Sequence, residues 1–207
     1  MTTERSTESL RDLARHAVRD EVLRHAWVLF ASQGFDATTI DQVAEAAGMS
    51  RRTFFRYFSG KDELIIEKLV EAGELVAAAL AERPADESPW AALRAAFGVV
   101  VRSAETHAEQ ARTLRILLRD EPGVRGSLEE WRRRWTELLA PIVAARLAPA
   151  GRRAKRPDVR ADVRAEALAG SALACLDAAQ TVWADHPRSS LSALLDEAMG
   201  AILPLDR

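Results

Sequence analysis

The chain has 207 residues, with 29 basic and 31 acidic side chains, and 48% of it is hydrophobic, which excludes a disordered polyelectrolyte and leaves enough apolar surface for a core. A single cysteine, Cys175, excludes an intrachain disulfide framework. There is no stretch of the ~18 apolar residues that a membrane span needs and no apolar leader at the N-terminus, so a cytoplasmic protein without membrane contact is expected.

The elements follow in chain order. Residues 1–7 are polar and expected to fray. Leu13, Ala17, Val22, Ala26, Leu29 and Phe30 keep a helical period, which predicts a helix over 10–33, closed by Gly34. Two short helices are predicted over 40–47 and 51–58, and a longer one over 62–81 with Asp62 and Glu63 at its positive end. Residues 82–87, containing Pro84, form the main break, and the helix before it belongs to both parts of the chain. Ser88-Pro89 reads as an N-cap followed by an N1 proline, opening a helix to about 106. Another covers 109–119 and stops at Pro122-Gly123. Ser127 opens a helix to 147 that contains Pro141, and 149–157 is a basic loop. Helices over 158–184 and 190–203 complete the chain. No strand-like alternation occurs, so the fold class is all-α, about nine helices, with a first domain over 1–64 and a second helical domain over 65–207.

Function is concentrated in residues 39–64. Thr39 and Gln42 have capping-box spacing, so a helix begins at Ile40. Gly48 supplies the left-handed residue of a sharp turn, and Ser50 caps the next helix at once. Ala44 is small where the two helices cross, and Val43, Ala47, Met49, Phe54 and Tyr57 supply an apolar interior. This is a helix-turn-helix pattern. At 100° per residue from a buried Phe54, Arg52 falls near ~160° and Arg56 near ~200°, both facing away from the core, with Phe55 and Thr53 flanking them. Arginine paired with guanine is the commonest specific contact in the major groove. Residues 48–61 hold Arg51, Arg52, Arg56 and Lys61 and no acid, a local basic patch on a chain whose net charge is −2.

Leu29-Phe30, Gly34-Phe35, Thr38-Thr39-Ile40, Val43-Ala44, Ala47-Gly48-Met49-Ser50, Thr53-Phe54, Tyr57-Phe58 and Lys61-Asp62-Glu63-Leu64 together resemble the TetR family of bacterial regulators over about residues 15–65. The resemblance implies that Thr39, Ser50, Tyr57 and Lys61 hold phosphates while Thr53, Phe55 and Arg56 face the groove of a double-stranded DNA operator. Arg52 stands where the family often has glycine, which adds a long reader to the groove-facing side.

Beyond residue 85 the reading rests on apolar patterning. Leu168, Ala172, Cys175, Ala179 and Val182 mark one face of the helix 158–184, and Leu173, Leu176, Gln180 and Trp183 another. A helix apolar on two sides is expected to face its own core and a partner subunit, giving a homodimer through this helix and the last one, with Leu176 and Leu195 at the interface. Trp90, Phe97, Val101, Leu114, Leu117, Trp131 and Trp135 are candidates for lining a site for a small apolar ligand, with His107, Cys175 and Gln180 as its polar groups. This region more weakly resembles the C-terminal part of mycofactocin-associated regulators, which implies acyl-type ligands. The other classes weighed are a small helical enzyme and a protein-binding helical module. His16, His25, His107 and His186 show no metal spacing, and no phosphate loop, nucleophile elbow or Cys-x-x-Cys occurs, so no catalytic residue, metal or cofactor is expected.

Overall fold

The computed structural model describes residues 10–120, 125–148 and 159–203. Among the described residues there are nine helices and no strand: α1 (Leu10–Gln33), α2 (Ile40–Ala46), α3 (Arg51–Phe54), α4 (Lys61–Ala81), α5 (Pro89–Thr106), α6 (Ala108–Asp120), α7 (Arg125–Leu147), α8 (Val159–Asp185) and α9 (Leu191–Gly200). The expectations for 1–7, for Pro122-Gly123 and for the loop 149–157 fall outside the described residues. The chain divides into two compact units, one up to Ile65 and one from Ile66 onward, and α4 has residues in both.

In the first unit, α1 ends where the amide of Gly34, at φ +86°, bonds the carbonyl of Phe30 at 3.0 Å. Val22, Ala26, Phe30, Phe35, Val43, Ala44, Phe54, Phe58, Leu64 and Ile65 are buried together. Burying a Phe or Leu side chain is worth about 1.5–3 kcal/mol, so this small core is enough to hold α2 and α3 in a fixed geometry against α1 and the start of α4. Phe54 packs against Phe58 with ring centres 5.3 Å apart, and Phe30 against Phe35 at 5.0 Å, both pairs tilted.

In the second unit, α8 is the central element. Ala161, Ala165, Ala169, Ala172 and Ala179 are buried, and these small side chains let α7 and α9 approach its axis closely. Phe97 from α5, Trp131, Trp135, Leu139 and Val143 from α7, and Leu191, Leu195 and Met199 from α9 fill the core. Arginines tie α6 to the far end of α8 and α5 to α9. Arg112 donates to the Trp183 and Pro187 carbonyls, Arg119 pairs with Asp185 at 2.8 Å, and Arg94 joins α5 to Asp196 of α9. The most buried of these is Arg115, whose guanidinium lies 2.7 Å from Asp177, a carboxylate that also holds Arg132 at 2.8 Å. A buried guanidinium is tolerated only when so paired.

One sequence expectation is corrected here. Leu176 and Leu195 do not face outward; both are fully buried in the chain's own core. The two apolar faces read from α8 pack against other helices of the same chain, Val182 excepted. The outward face is a third one, made of Ala167, Gly170, Ala174 and Ala178, with Val163 exposed one turn before them. Residues this small carry a weak apolar signal, so Leu and Trp dominate the pattern and hide it.

Candidate functional site

The two short helices of the first unit are set by their caps. The Thr39 hydroxyl accepts the Gln42 amide at 3.2 Å while the Gln42 side chain accepts the Thr39 amide at 2.8 Å. Gly48 takes φ +65°, and the Met49 amide bonds the Ala44 carbonyl at 2.9 Å, which turns the chain sharply. The Ser50 hydroxyl then accepts the Thr53 amide at 3.1 Å. These local bonds fix the direction of α3.

α3 is shorter than the expected 51–58. After Phe54 the amides of Arg56 and Tyr57 bond carbonyls three residues back, at 3.1 and 2.9 Å, so the segment tightens into turns. The outward set survives this tightening. Arg52, Phe55 and Arg56 are exposed, Thr53 is half-buried and Phe54 is fully buried. No carboxylate among the described residues pairs with Arg52 or Arg56; Arg56 lies 5.6 Å over the Tyr57 ring. Arg51 pairs with Asp41 at 2.8 Å, but both side chains are more than half exposed, and such a pair is worth at most about 1 kcal/mol and yields readily to a phosphate. Thr39 and Ser50 are exposed beside their caps, and Tyr57 is half-buried.

Lys61 has a role the sequence did not signal. Its ammonium donates to the carbonyls of Phe35 at 2.6 Å and Thr38 at 3.1 Å, approaches that of Asp36 at 3.5 Å, and lies 4.1 Å over the Phe35 ring. It therefore closes the turn between α1 and α2. Arg19 was also missed. It donates to the Tyr57 carbonyl and, at 2.9 Å, to Glu63, with its guanidinium 4.5 Å over Phe58. Burial alone would raise the Glu63 pKa, but bonds from the Ser59 amide and hydroxyl and from Arg19 outweigh it and hold the carboxyl below its ordinary value.

In the second unit the candidate ligand residues separate. Trp131 and Trp135 stack edge-on at 5.2 Å, and Trp135 lies 6.5 Å from Phe97. The Trp135 indole donates to the Leu69 carbonyl of α4 at 2.7 Å. The Trp131 indole N–H is buried with no hydrogen-bond partner among the described residues. Val101 is buried, while Leu114, Leu117 and Gln180 are half-buried. Trp90 donates to the Leu203 carbonyl, and the Cys175 thiol, its pKa raised by burial, faces the Ala198 carbonyl at 3.4 Å. His107 is a correction: it is the exposed cap of α5, its Nδ1 3.2 Å from the Ser103 carbonyl, and does not point into the core. Its position at a helix end, where the chain turns outward, decides this.

Residues 22–67 match the profile of bacterial regulatory proteins of the tetR family, and residues 87–204 match the MftR C-terminal domain. The chain belongs to the TetR family. Members of this family are DNA-binding transcriptional regulators and not enzymes. TcmR of Streptomyces glaucescens, an HTH-type transcriptional regulator, is 37% identical to this TetR-family chain over 143 residues, 66% of the chain and 63% of TcmR, so the match spans just under two thirds of that relative. The fold is also that of the Thermus thermophilus repressor FadR, solved with lauroyl-CoA (21% identity, TM-score 0.57, 91% of this chain and 95% of that one). It is shared as well by the Bacillus subtilis FadR, solved with stearoyl-CoA (17% identity, TM-score 0.61, 91% and 99%).

Proposed function

We propose that this TetR-family chain is a homodimeric repressor that α3 holds on its operator and that a small, mainly apolar ligand releases. The observation that carries the DNA-binding half is the exposed trio Arg52, Phe55 and Arg56 on the outward side of α3 and the turn that follows it, the two arginines free of carboxylate partners in the described chain. Arg52 and Arg56 enter the major groove, Thr53 and Phe55 contact base edges, and Thr39, Ser50, Arg51 and Tyr57 stand along the phosphates, while Lys61, expected among them, is engaged in the turn between α1 and α2. Two copies pair through the uncharged outward face of α8 (Ala167, Gly170, Ala174, Ala178) and the half-buried Leu194 and Ala198 of α9. A two-fold dimer requires a roughly palindromic operator with half-sites about 34–36 Å apart.

The ligand enters around Phe97, Trp131 and Trp135. Buried donors without partners are rare, and the Trp131 N–H is one, so the ligand carries a hydrogen-bond acceptor that satisfies it. Trp135 bonds α4, the one helix with residues in both units, so a ligand that displaces its indole acts directly on α4. Acyl-CoA bound to two FadR proteins of this fold makes acyl chains the first probes. The test is a titration of a selected operator complex, followed by anisotropy, with lauroyl-CoA, laurate and dodecanol. A coupling of about 1–3 kcal/mol weakens DNA binding roughly 5–150-fold, and Trp131→Ala loses that response while keeping operator affinity. A compound that binds among these aromatics yet leaves operator affinity unchanged contradicts the release mechanism.

A further inference from the structure

α1 begins at Leu10, about three turns before the family match starts at residue 22. Those first turns line a cleft together with the reading head. Ala14, Arg15 and Val18 of α1, with Arg56 and Tyr57 beyond α3, line a cleft of about 330 Å³. Two of these five residues are arginines, both exposed, and none is acidic. Ala14 and Val18 offer only apolar surface, so the cleft presents donors and no charged acceptor. A base with an exocyclic amine finds no carboxylate there, whereas an anion finds two guanidinium groups, each able to give several N–H bonds.

The cleft is also held in shape. Arg19, four residues on from Arg15, bonds the Tyr57 carbonyl and Glu63 and covers the Phe58 ring. This ties α1 to the segment 57–63 while leaving Arg15 and Arg56 exposed. Tyr57 is thereby fixed from the backbone, and the distance between the two walls is set before any ligand arrives.

We infer that this cleft takes one phosphodiester of the operator backbone, gripped by Arg15 from α1 and by Arg56 from the edge of the reading surface. The inference rests on the reading of α3 as the DNA-contacting element. Arg56 presents a fork of donors, so one edge bonds the phosphate while the rest of the group remains at the groove. Arg15 contributes charge and position without sequence information, as phosphate contacts do.

The experiment measures binding of the full-length protein by anisotropy across a range of salt, on an operator selected from random duplex by the wild type and on a random-sequence duplex. Each cationic contact withdrawn from the phosphate backbone lowers the slope of log affinity against log salt by about 1, so Arg15→Ala, which leaves Arg56 in place, lowers it by about 1 for each occupied half-site. It weakens operator and random duplex by the same factor, leaving their ratio unchanged. Arg15→Lys restores the slope, because the charge returns. Phosphate ethylation interference shows one blocked position per half-site whose effect is smaller in Arg15→Ala than in the wild type. An unchanged slope in Arg15→Ala overturns the inference, as does a changed operator-to-random ratio, which makes Arg15 a base reader. Circular dichroism melts matching the wild type confirm that the variant is folded. Failure of the wild type to select any duplex contradicts the reading of α3 instead, so the two failures are distinct.

Discussion

Gly73 sits on α4 directly beneath the Trp135 indole, and replacing it with alanine separates helix propensity from tertiary packing. A Cβ built there lies 2.5 Å from the indole Nε1 and 2.8 Å from Cδ1 and Cε2. Trp135 is buried and bonded to the Leu69 carbonyl one turn back, so the ring has no free direction to move. Overpacking costs about 1–3 kcal/mol. Lifting the indole off Leu69 leaves a buried donor unpaired, at about 1–3 kcal/mol more. Alanine in place of glycine in a helix offsets about 1 kcal/mol of this. The net expectation is a loss of about 1–5 kcal/mol, at roughly 2–4 °C of melting temperature per kcal/mol for a chain of this size. Thermal melts by circular dichroism measure it, and the same substitution in a Trp135→Phe background, where the ring is smaller, is expected to be neutral or stabilising. A Gly73→Ala variant as stable as the wild type with Trp135 intact would refute the argument, since propensity alone would then govern the site.

Lys61→Ala leaves the Phe35 and Thr38 carbonyls without their charged donor and is expected to lower the stability of the DNA-binding unit by about 1–3 kcal/mol; an unchanged melt contradicts the clamp. Ala174→Glu places a charge on the outward face of α8 and is expected to give a folded monomer by sedimentation, whereas Leu176→Glu buries an unpaired charge in the chain's own core and unfolds it. A dimeric Ala174→Glu protein at low micromolar concentration would rule out that face. Glu63 has a folded pKa below its ordinary 4.5, so its contribution is present above that value and lost as pH falls through the folded pKa. Glu63→Gln is therefore expected to reduce stability at neutral pH and to flatten the acid decline below about pH 4.5, read from melts across pH 3–7; an identical acid limb argues against it.

The caps carried most of what the sequence revealed. Thr39 with Gln42, Ser50, Ser88-Pro89 and Gly34 each impose a local bond that survives whatever packs around it, and the helices start and stop there as expected. α3 was overextended because the period of Phe54 and Phe58 continues through residues that the backbone turns more tightly. The exposure of Arg52, Phe55 and Arg56 was legible because one buried phenylalanine fixes the rotation of a short helix. The arginine ties were not legible. Arg19 to Tyr57, and Arg115 and Arg132 to Asp177, join residues 38 to 62 positions apart, and nothing in an exposed-looking arginine marks its partner. The outward face of α8 escaped for a related reason: alanine and glycine fit a buried contact and a docking surface equally well.

The most direct test of the account is the affinity of wild type and Arg52→Ala for a selected operator and for variants with each base pair changed in turn. Loss of one bidentate contact is expected to cost about 1–3 kcal/mol on the operator and to abolish discrimination at one base pair per half-site. Unchanged affinity with unchanged discrimination at every position would mean that α3 does not read the DNA.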